Sequence, residues 1–182
     1  YVFRRSVIDT IPDGRPVSVE RETFPGLLAA GAWVQAHVDG AYWRDLGTPF
    51  DLVRGSADLV RGLAPSAALP GPTGQALVCK GAEVAPDATL SGGTTVGAGA
   101  VVGAGARLDG VLLFDGAVVG AGSAVERSVL GFGACVEAGA TVCDAVVGDR
   151  AVVGERCELR DGVRIWPDVV LPPGGVRFSA GV

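Results

Sequence analysis

Asp45 is the residue in this chain with the strongest claim to chemistry. It closes the aromatic run Ala41-Tyr42-Trp43-Arg44-Asp45, and Gly47-Thr48-Pro49 follows almost at once. A carboxylate at the C-terminal edge of a strand in an α/β sheet stands where ligands bind. One carboxylate shared with phosphate oxygens is a common arrangement for Mg2+. The same Asp would also serve to cap the turn through Gly47 and Thr48, and spacing leaves both roles open. Glu20 is the second candidate carboxylate. Against it stands the plain role of an acid in a first helical turn, where the helix dipole favours negative charge, and Glu22 competes for that role. His37, the only histidine, lies on an alternating stretch and reads as an ordinary strand residue. Trp43 with Tyr42 offers a ring to stack on a sugar or base, but reads first as a core residue.

These side chains need elements to position them. Tyr1-Val2-Phe3-Arg4 reads as a strand, and Ser6 to Ile11 as a short helix before the turn Pro12-Asp13-Gly14. Ser18 reads as an N-cap, with Glu20 and Glu22 in the first turn, Phe24, Leu27 and Leu28 on the buried face, and Gly31 as the stop. Ala32 to Val38 alternates as a strand, and Ala41 to Asp45 reads as another. Thr48-Pro49-Phe50-Asp51 opens a helix, with Thr as cap, Pro first and an acid third. Phe50, Val53, Ala57 and Val60 give that helix one apolar face. So few elements make a poor independent core, and residues 1–64 read as the C-terminal part of a larger α/β domain. A Pro/Gly-rich linker follows over residues 65–77.

From there the pattern changes. Val102, Val119, Val136 and Val153 stand seventeen residues apart. Leu108, Val125, Val142 and Leu159 repeat the step, as do Leu113, Leu130 and Val147. Within a turn the spacing runs six, five, six, which no helix or simple strand produces. It is the spacing of a parallel β-helix, a chain wound around a triangular prism with one short strand per face. Small residues recur at fixed offsets, Ala106, Ser123, Ala140 and Cys157 in one column and Ala117, Ala134 and Ala151 in another, as a tightly packed interior requires. The coil is expected over residues 78–172, ending where Pro172-Pro173-Gly174-Gly175 opens a C-terminal tail, residues 173–182. The chain is therefore expected to be mainly β.

Composition excludes several classes. Net charge is −5, Lys80 is the only lysine, and no basic stripe runs along the chain, so a nucleic-acid partner is not expected. No segment approaches the roughly 20 apolar residues of a membrane span. Cys79, Cys135, Cys143 and Cys157 show no C-x-x-C spacing; Cys157 falls in the small-residue column, where a buried apolar role is expected. Free thiols suggest a reducing, cytoplasmic setting. Coiled acyltransferases built on hexapeptide repeats resemble this coil, but they generally use a coil-borne histidine as base, and this coil has none.

The first segment adds a resemblance. Tyr1-Val2-Phe3, Ile8-Asp9-Thr10-Ile11-Pro12, Val17-Ser18-Val19-Glu20-Arg21-Glu22-Thr23-Phe24-Pro25 and Gly40-Ala41-Tyr42-Trp43-Arg44-Asp45-Leu46-Gly47-Thr48-Pro49 resemble the second half of the catalytic domain of sugar-1-phosphate nucleotidyltransferases. The subgroup is similar to the mannose-1-phosphate guanylyltransferases, many of which append a left-handed β-helix of hexapeptide repeats after a proline-rich linker. The resemblance implies that Asp45 holds Mg2+ on the phosphates together with an aspartate of the front half, and that Glu20 lies near the sugar hydroxyls.

It also implies a reaction: a sugar-1-phosphate oxygen attacks the α-phosphorus of a nucleoside triphosphate and pyrophosphate leaves. GTP and mannose-1-phosphate would give GDP-mannose. The family's Gly-rich signature loop, its activating basic residues and its first Mg2+ aspartate have no match in this chain, so the fragment alone is expected to be inactive. The coil is expected to mediate homo-oligomerisation or regulation. The alternatives are a non-catalytic transferase-like regulatory subunit and a pyrophosphorylase specific for glucose-1-phosphate.

Overall fold

The computed structural model describes residues 1–69 and 74–178. The middle of the Pro/Gly-rich linker, residues 70–73, and the end of the C-terminal tail, residues 179–182, lie outside the described residues. Contacts divide the chain into two compact units, Tyr1–Ala41 and Tyr42–Val182.

The larger unit is a parallel β-helix of six turns, and the chain is mainly β. Its first sheet stacks Ala76–Val78, Thr94–Val96, Leu112–Leu113, Val129–Leu130, Val146–Val147 and Arg164–Ile165. The second stacks Glu83–Val84, Val101–Val102, Val118–Val119, Cys135–Val136, Val152–Val153 and Val170–Leu171. The third stacks Thr89–Ser91, Arg107–Asp109, Ala124–Glu126, Thr141–Cys143, Glu158–Arg160 and Val176–Phe178.

The aliphatic columns of the sequence are the registers of these ladders. Val102 pairs with Val119, Val119 with Val136, and Val136 with Val153. Leu108, Val125, Val142 and Leu159 align in the same way. All point inward and are buried, as are Ala106, Ser123, Ala140 and Cys157 in the small-residue column. Each fully buried Val or Leu stabilises the fold by about 1.5–3 kcal/mol. A repeated inward column therefore outweighs the cost of so many glycines.

The end turns use a step of eighteen, as in Val84 to Val102 and Val147 to Ile165. The added residue lies at the corner after the third sheet, where Asp161 and Gly162 both have positive φ in place of the single Asp144 of the turn before. The coil also runs past its expected end. Val176–Phe178 joins the third sheet beside Glu158–Arg160, so Pro172 to Gly175 form a corner. Proline lacks an N–H to donate, but a corner does not ask for one there.

Corners need left-handed backbone, and the column changes residue type along the coil. Gly110 (φ 59°), Arg127 (43°), Asp144 (51°) and Asp161 (58°) occupy equivalent positions. Arg127 then grips the next turn: its Nε and Nη2 donate to the two Asp144 carboxylate oxygens, each at 2.8 Å. That guanidinium holds the Asp144 carboxyl below its ordinary value of 3.8. The resulting stability is present at neutral pH and is lost as pH falls through the depressed folded pKa. Both side chains are more than a third exposed, so the pair is worth no more than about 1 kcal/mol. Asp144→Asn should therefore lower the melting temperature slightly at pH 7. Melting curves of variant and parent should converge as pH drops below about 3.8. A difference that persists at low pH would assign the loss to something other than the carboxylate.

The smaller unit, Tyr1–Ala41, differs from expectation. The strands expected at residues 1–4 and 32–38 are not formed, and neither is the one at 41–45 beyond it. A strand exists only through ladder partners, and none lies beside these segments. The first helix, α1, spans Arg5–Ile8 and not Ser6 to Ile11. Ser18 does cap, its Oγ accepting from the Arg21 amide at 3.2 Å. It caps a wide π-type turn, Val19–Thr23, which leads into helix α2, Phe24–Ala29. Gly31, at φ 73°, ends α2 as expected. Leu28 is exposed and not on a buried face; Phe24 instead stacks with Phe3 at 5.5 Å and meets the edge of Tyr1 at 5.2 Å.

Candidate functional site

Asp45 belongs to the larger unit, in an irregular segment that precedes helix α3, Pro49–Val60. The helix starts where its sequence dictates. Thr48 Oγ1 accepts from the Asp51 amide at 3.2 Å and donates to Asp51 Oδ2 at 2.6 Å. This arrangement takes the capping role that spacing had left open for Asp45. Asp45 is exposed, and among the described residues no hydrogen bond or ion pair engages its carboxylate.

Its neighbours are fastened. Arg44 Nε and Nη2 donate to Asp58 Oδ2 at 2.9 and 2.6 Å, and the Tyr42 hydroxyl donates to the same oxygen at 2.7 Å. Burial pushes the Asp58 carboxyl up, but Tyr42 and Arg44 outweigh it and hold it below the usual carboxylate range. Leu46 lies on Gly55, where any Cβ would come within 2.8 Å of its Cδ2. The sequence reading missed this clamp. Its only signal was Gly55 in a helix interior, where a glycine costs about 1 kcal/mol unless something packs on it.

Helix α3 buries Val53, Ala57 and Val60 as expected. Phe50 does not join them; it is 45% exposed, with the Arg54 guanidinium 5.3 Å from its ring centre. Trp43 is 81% exposed, so the core role expected for it is not realised in this chain. His37 is exposed as well.

Glu20 lies in the smaller unit, where its carboxylate accepts a hydrogen bond from the Tyr1 hydroxyl. That bond raises the Tyr1 pKa. Glu22 is the acid that completes the turn: Oε1 accepts from the Ser18 amide at 3.3 Å and Oε2 from Arg15 Nη2 at 2.8 Å. Glu20 is thus released from the structural role for which the two acids competed. Glu22, not Glu20, lines a cavity of about 390 Å³ with Thr10, Arg15, Thr23 and Leu27. The Thr23 hydroxyl is buried there without a partner among the described residues.

Among the described residues no group of three or more His, Cys, Asp or Glu could hold a metal ion. Asp45 therefore would supply one hard oxygen ligand from this chain, the rest of the shell coming from phosphate oxygens and from the front half of the domain, an arrangement Mg2+ accepts. The cysteines are free. Cys157 is fully buried as expected, and burial pushes the Cys135 and Cys143 thiols up, away from nucleophilic character. No helix of the described residues is long and apolar enough to cross a membrane.

Stacked short strands and inward aliphatic columns define a parallel β-helix protein, and its coil carries a Trp-x-Asp-x-Gly-Thr-Pro segment on its N-terminal side. A family profile described as the GMPPB C-terminal domain matches residues 72–180, and the chain belongs to that family. Over its whole length, in an alignment of 183 residues, it is 58% identical to a mannose-1-phosphate guanylyltransferase of Mycobacterium tuberculosis, covering 51% of that protein. It is 34% identical over 104 residues to mannose-1-phosphate guanylyltransferase 1 of Arabidopsis thaliana, covering 51% of this chain and 28% of that one. A mannose-1-phosphate guanyltransferase of Yarrowia lipolytica is 43% identical over 56 residues, 31% of this chain and 15% of its own length. The chain thus spans about half the length of its mycobacterial relative, and less of the others.

Proposed function

We propose that this chain is the C-terminal portion of a mannose-1-phosphate guanylyltransferase. The whole protein would make GDP-mannose from GTP and mannose-1-phosphate. The observation that carries the reading is the whole-chain likeness to the mycobacterial enzyme. In this reading residues 1–64 finish the nucleotidyltransferase domain, and the coil is a left-handed β-helix appended for assembly or regulation.

Asp45 is the residue that would hold Mg2+, and Glu20 the acid near the sugar hydroxyls. Bound Mg2+ would neutralise charge on the phosphates as pyrophosphate leaves. Asp45 supplies a carboxylate with no other partner among the described residues, held between two anchored neighbours. Glu20 supplies an acceptor at the start of a helical turn. Catalysis of such a transfer rests mainly on positioning and charge neutralisation.

The outer face of the second sheet supports self-association. Val101, Val118, Cys135, Val152 and Val170 form one outward column, and Val170 is 68% exposed. Free thiols and the lack of a long apolar helix among the described residues accord with a cytoplasmic setting.

The test is to assay the full-length gene product with mannose-1-phosphate and glucose-1-phosphate, each against the four nucleoside triphosphates. GDP-mannose should form fastest. A preference for glucose-1-phosphate would overturn the sugar assignment. Binding of GDP-mannose with no turnover of any pair would make the protein a regulatory subunit.

A further inference from the structure

The coil approaches α3 more closely than ordinary packing allows. Any Cβ at Gly93 would lie 2.7 Å from both Cα and Cβ of Ala57 and 2.8 Å from the Ala57 carbonyl oxygen. Gly93 also has φ 80°, a backbone that other residues rarely adopt. Both features serve to bring the helix backbone down onto the corner before the strand Thr94–Val96. One helical position away, Ser56 Oγ and Thr95 Oγ1 share a hydrogen bond at 3.1 Å. The helix is therefore seated on the Gly93 corner and the strand Thr94–Val96 by close backbone approach and a directional bond.

The same helix holds the segment that carries Asp45. Gly55 receives Leu46, and Asp58 receives Arg44 and Tyr42. Asp45 stands between Arg44 and Leu46, so both of its neighbours are fixed to a helix that is itself fixed to the coil. Residues Gly55 to Asp58 carry both sets of contacts on a single turn.

We propose that the coil, through its Gly93 corner and the strand Thr94–Val96, positions Asp45, acting through α3. The coil in this view is part of the scaffold of the metal carboxylate, and Gly93, Thr95, Ala57 and Asp58 are positioning residues. The inference rests on the reading of Asp45 given above. It predicts that disturbing the seam loosens residues 44–48 while the distant coil stays intact. A carboxylate displaced by about 1 Å holds its ligand poorly, and displacements of that size cost up to about 10²-fold in rate.

Ala57→Leu keeps a good helix former and leaves the coil backbone unstrained, but forces α3 off Gly93. Thr95→Val removes the Ser56 bond with little change of shape and serves if the first variant does not fold. In the full-length protein without metal, tryptic cleavage after Arg44 should speed up about tenfold, with amide hydrogen exchange of the strands from Ala124 to Arg160 unchanged. The Mg2+ concentration for half-maximal turnover should rise, with turnover recovering at high Mg2+.

A merely structural lesion would lower the active fraction without moving the Mg2+ requirement. Unchanged cleavage after Arg44 in both variants would overturn the proposal, as would an unchanged Mg2+ requirement. Asp45→Asn, measured alongside, separates the two claims. If it retains full turnover, the metal reading of Asp45 has failed; if it is inactive and the seam variants behave as the parent, the coil's role has failed.

Discussion

Asp45→Asn in the full-length protein is expected to reduce turnover by about 10²–10³-fold, with an unchanged melting temperature. The size follows from the role. Stabilising charge on reacting phosphates is worth several kcal/mol, and each 1.36 kcal/mol is tenfold in rate. An amide keeps the shape of the carboxylate but not its charge. The unchanged stability follows from the structure: the carboxylate is exposed, and no partner among the described residues would be left unpaired. The helix start is likewise indifferent, since Thr48 and Asp51 make the cap. Turnover should recover partly with Mn2+ or high Mg2+ if the residue binds the ion. Near-parental turnover at limiting Mg2+ would remove Asp45 from the metal site.

The second large effect is structural. Leu130→Ala should destabilise the coil by about 3–5 kcal/mol, lowering its melting temperature by roughly 10 °C or more. Leu130 is fully buried, stacked between Leu113 below and Val147 above. Those neighbours sit in hydrogen-bonded ladders and cannot collapse into the space, so the cavity term adds to the lost burial. Leu112, one turn below on the same sheet but facing outward, is only half-buried. Leu112→Ala should cost about half as much or less. Because each turn touches only its neighbours, the lesion should also raise amide exchange in the turns beside it before the ends respond. Equal losses at Leu112 and Leu130, measured by denaturant melting, would mean that the interior does not pack as described.

The two halves of the chain were unequally legible. The coil could be read almost residue by residue because its register is a fixed step, and a buried column shows itself as a repeated aliphatic letter. Its end could not be read the same way. Pro172 and Pro173 forbid a ladder locally, yet a corner is not a ladder, and Val176–Phe178 pairs with Glu158–Arg160 regardless. The caps at Ser18 and Thr48 were legible because each is a bond between residues three apart. The strands expected in residues 1–45 were not realised, since pairing depends on what lies alongside. Leu28, Phe50 and Trp43 were misjudged for a related reason: an apolar letter shows that a residue can be buried, not that something covers it.

The candidate site divides along the same line. Asp45 and Glu20 are visible as types in a pattern, with their resemblance to a transferase half. What releases each of them from a capping role is spatial. Thr48 takes the cap from Asp45, and Glu22 takes the turn from Glu20. The clamp around Asp45 joins Arg44 to Asp58, and the seam beneath it joins Ala57 to Gly93.

The residues thus dictated what depends on a fixed short spacing: the columns, the repeating inner corners, the caps at Ser18 and Thr48 and the identity of two exposed acids. Folding in three dimensions chose which apolar side chains found cover, which acid kept a free carboxylate, and that the coil grips the helix beside Asp45. A period or a cap is a relation between near neighbours along the chain and is written in their order. Cover and close approach are relations between surfaces, and those exist only once the chain has folded.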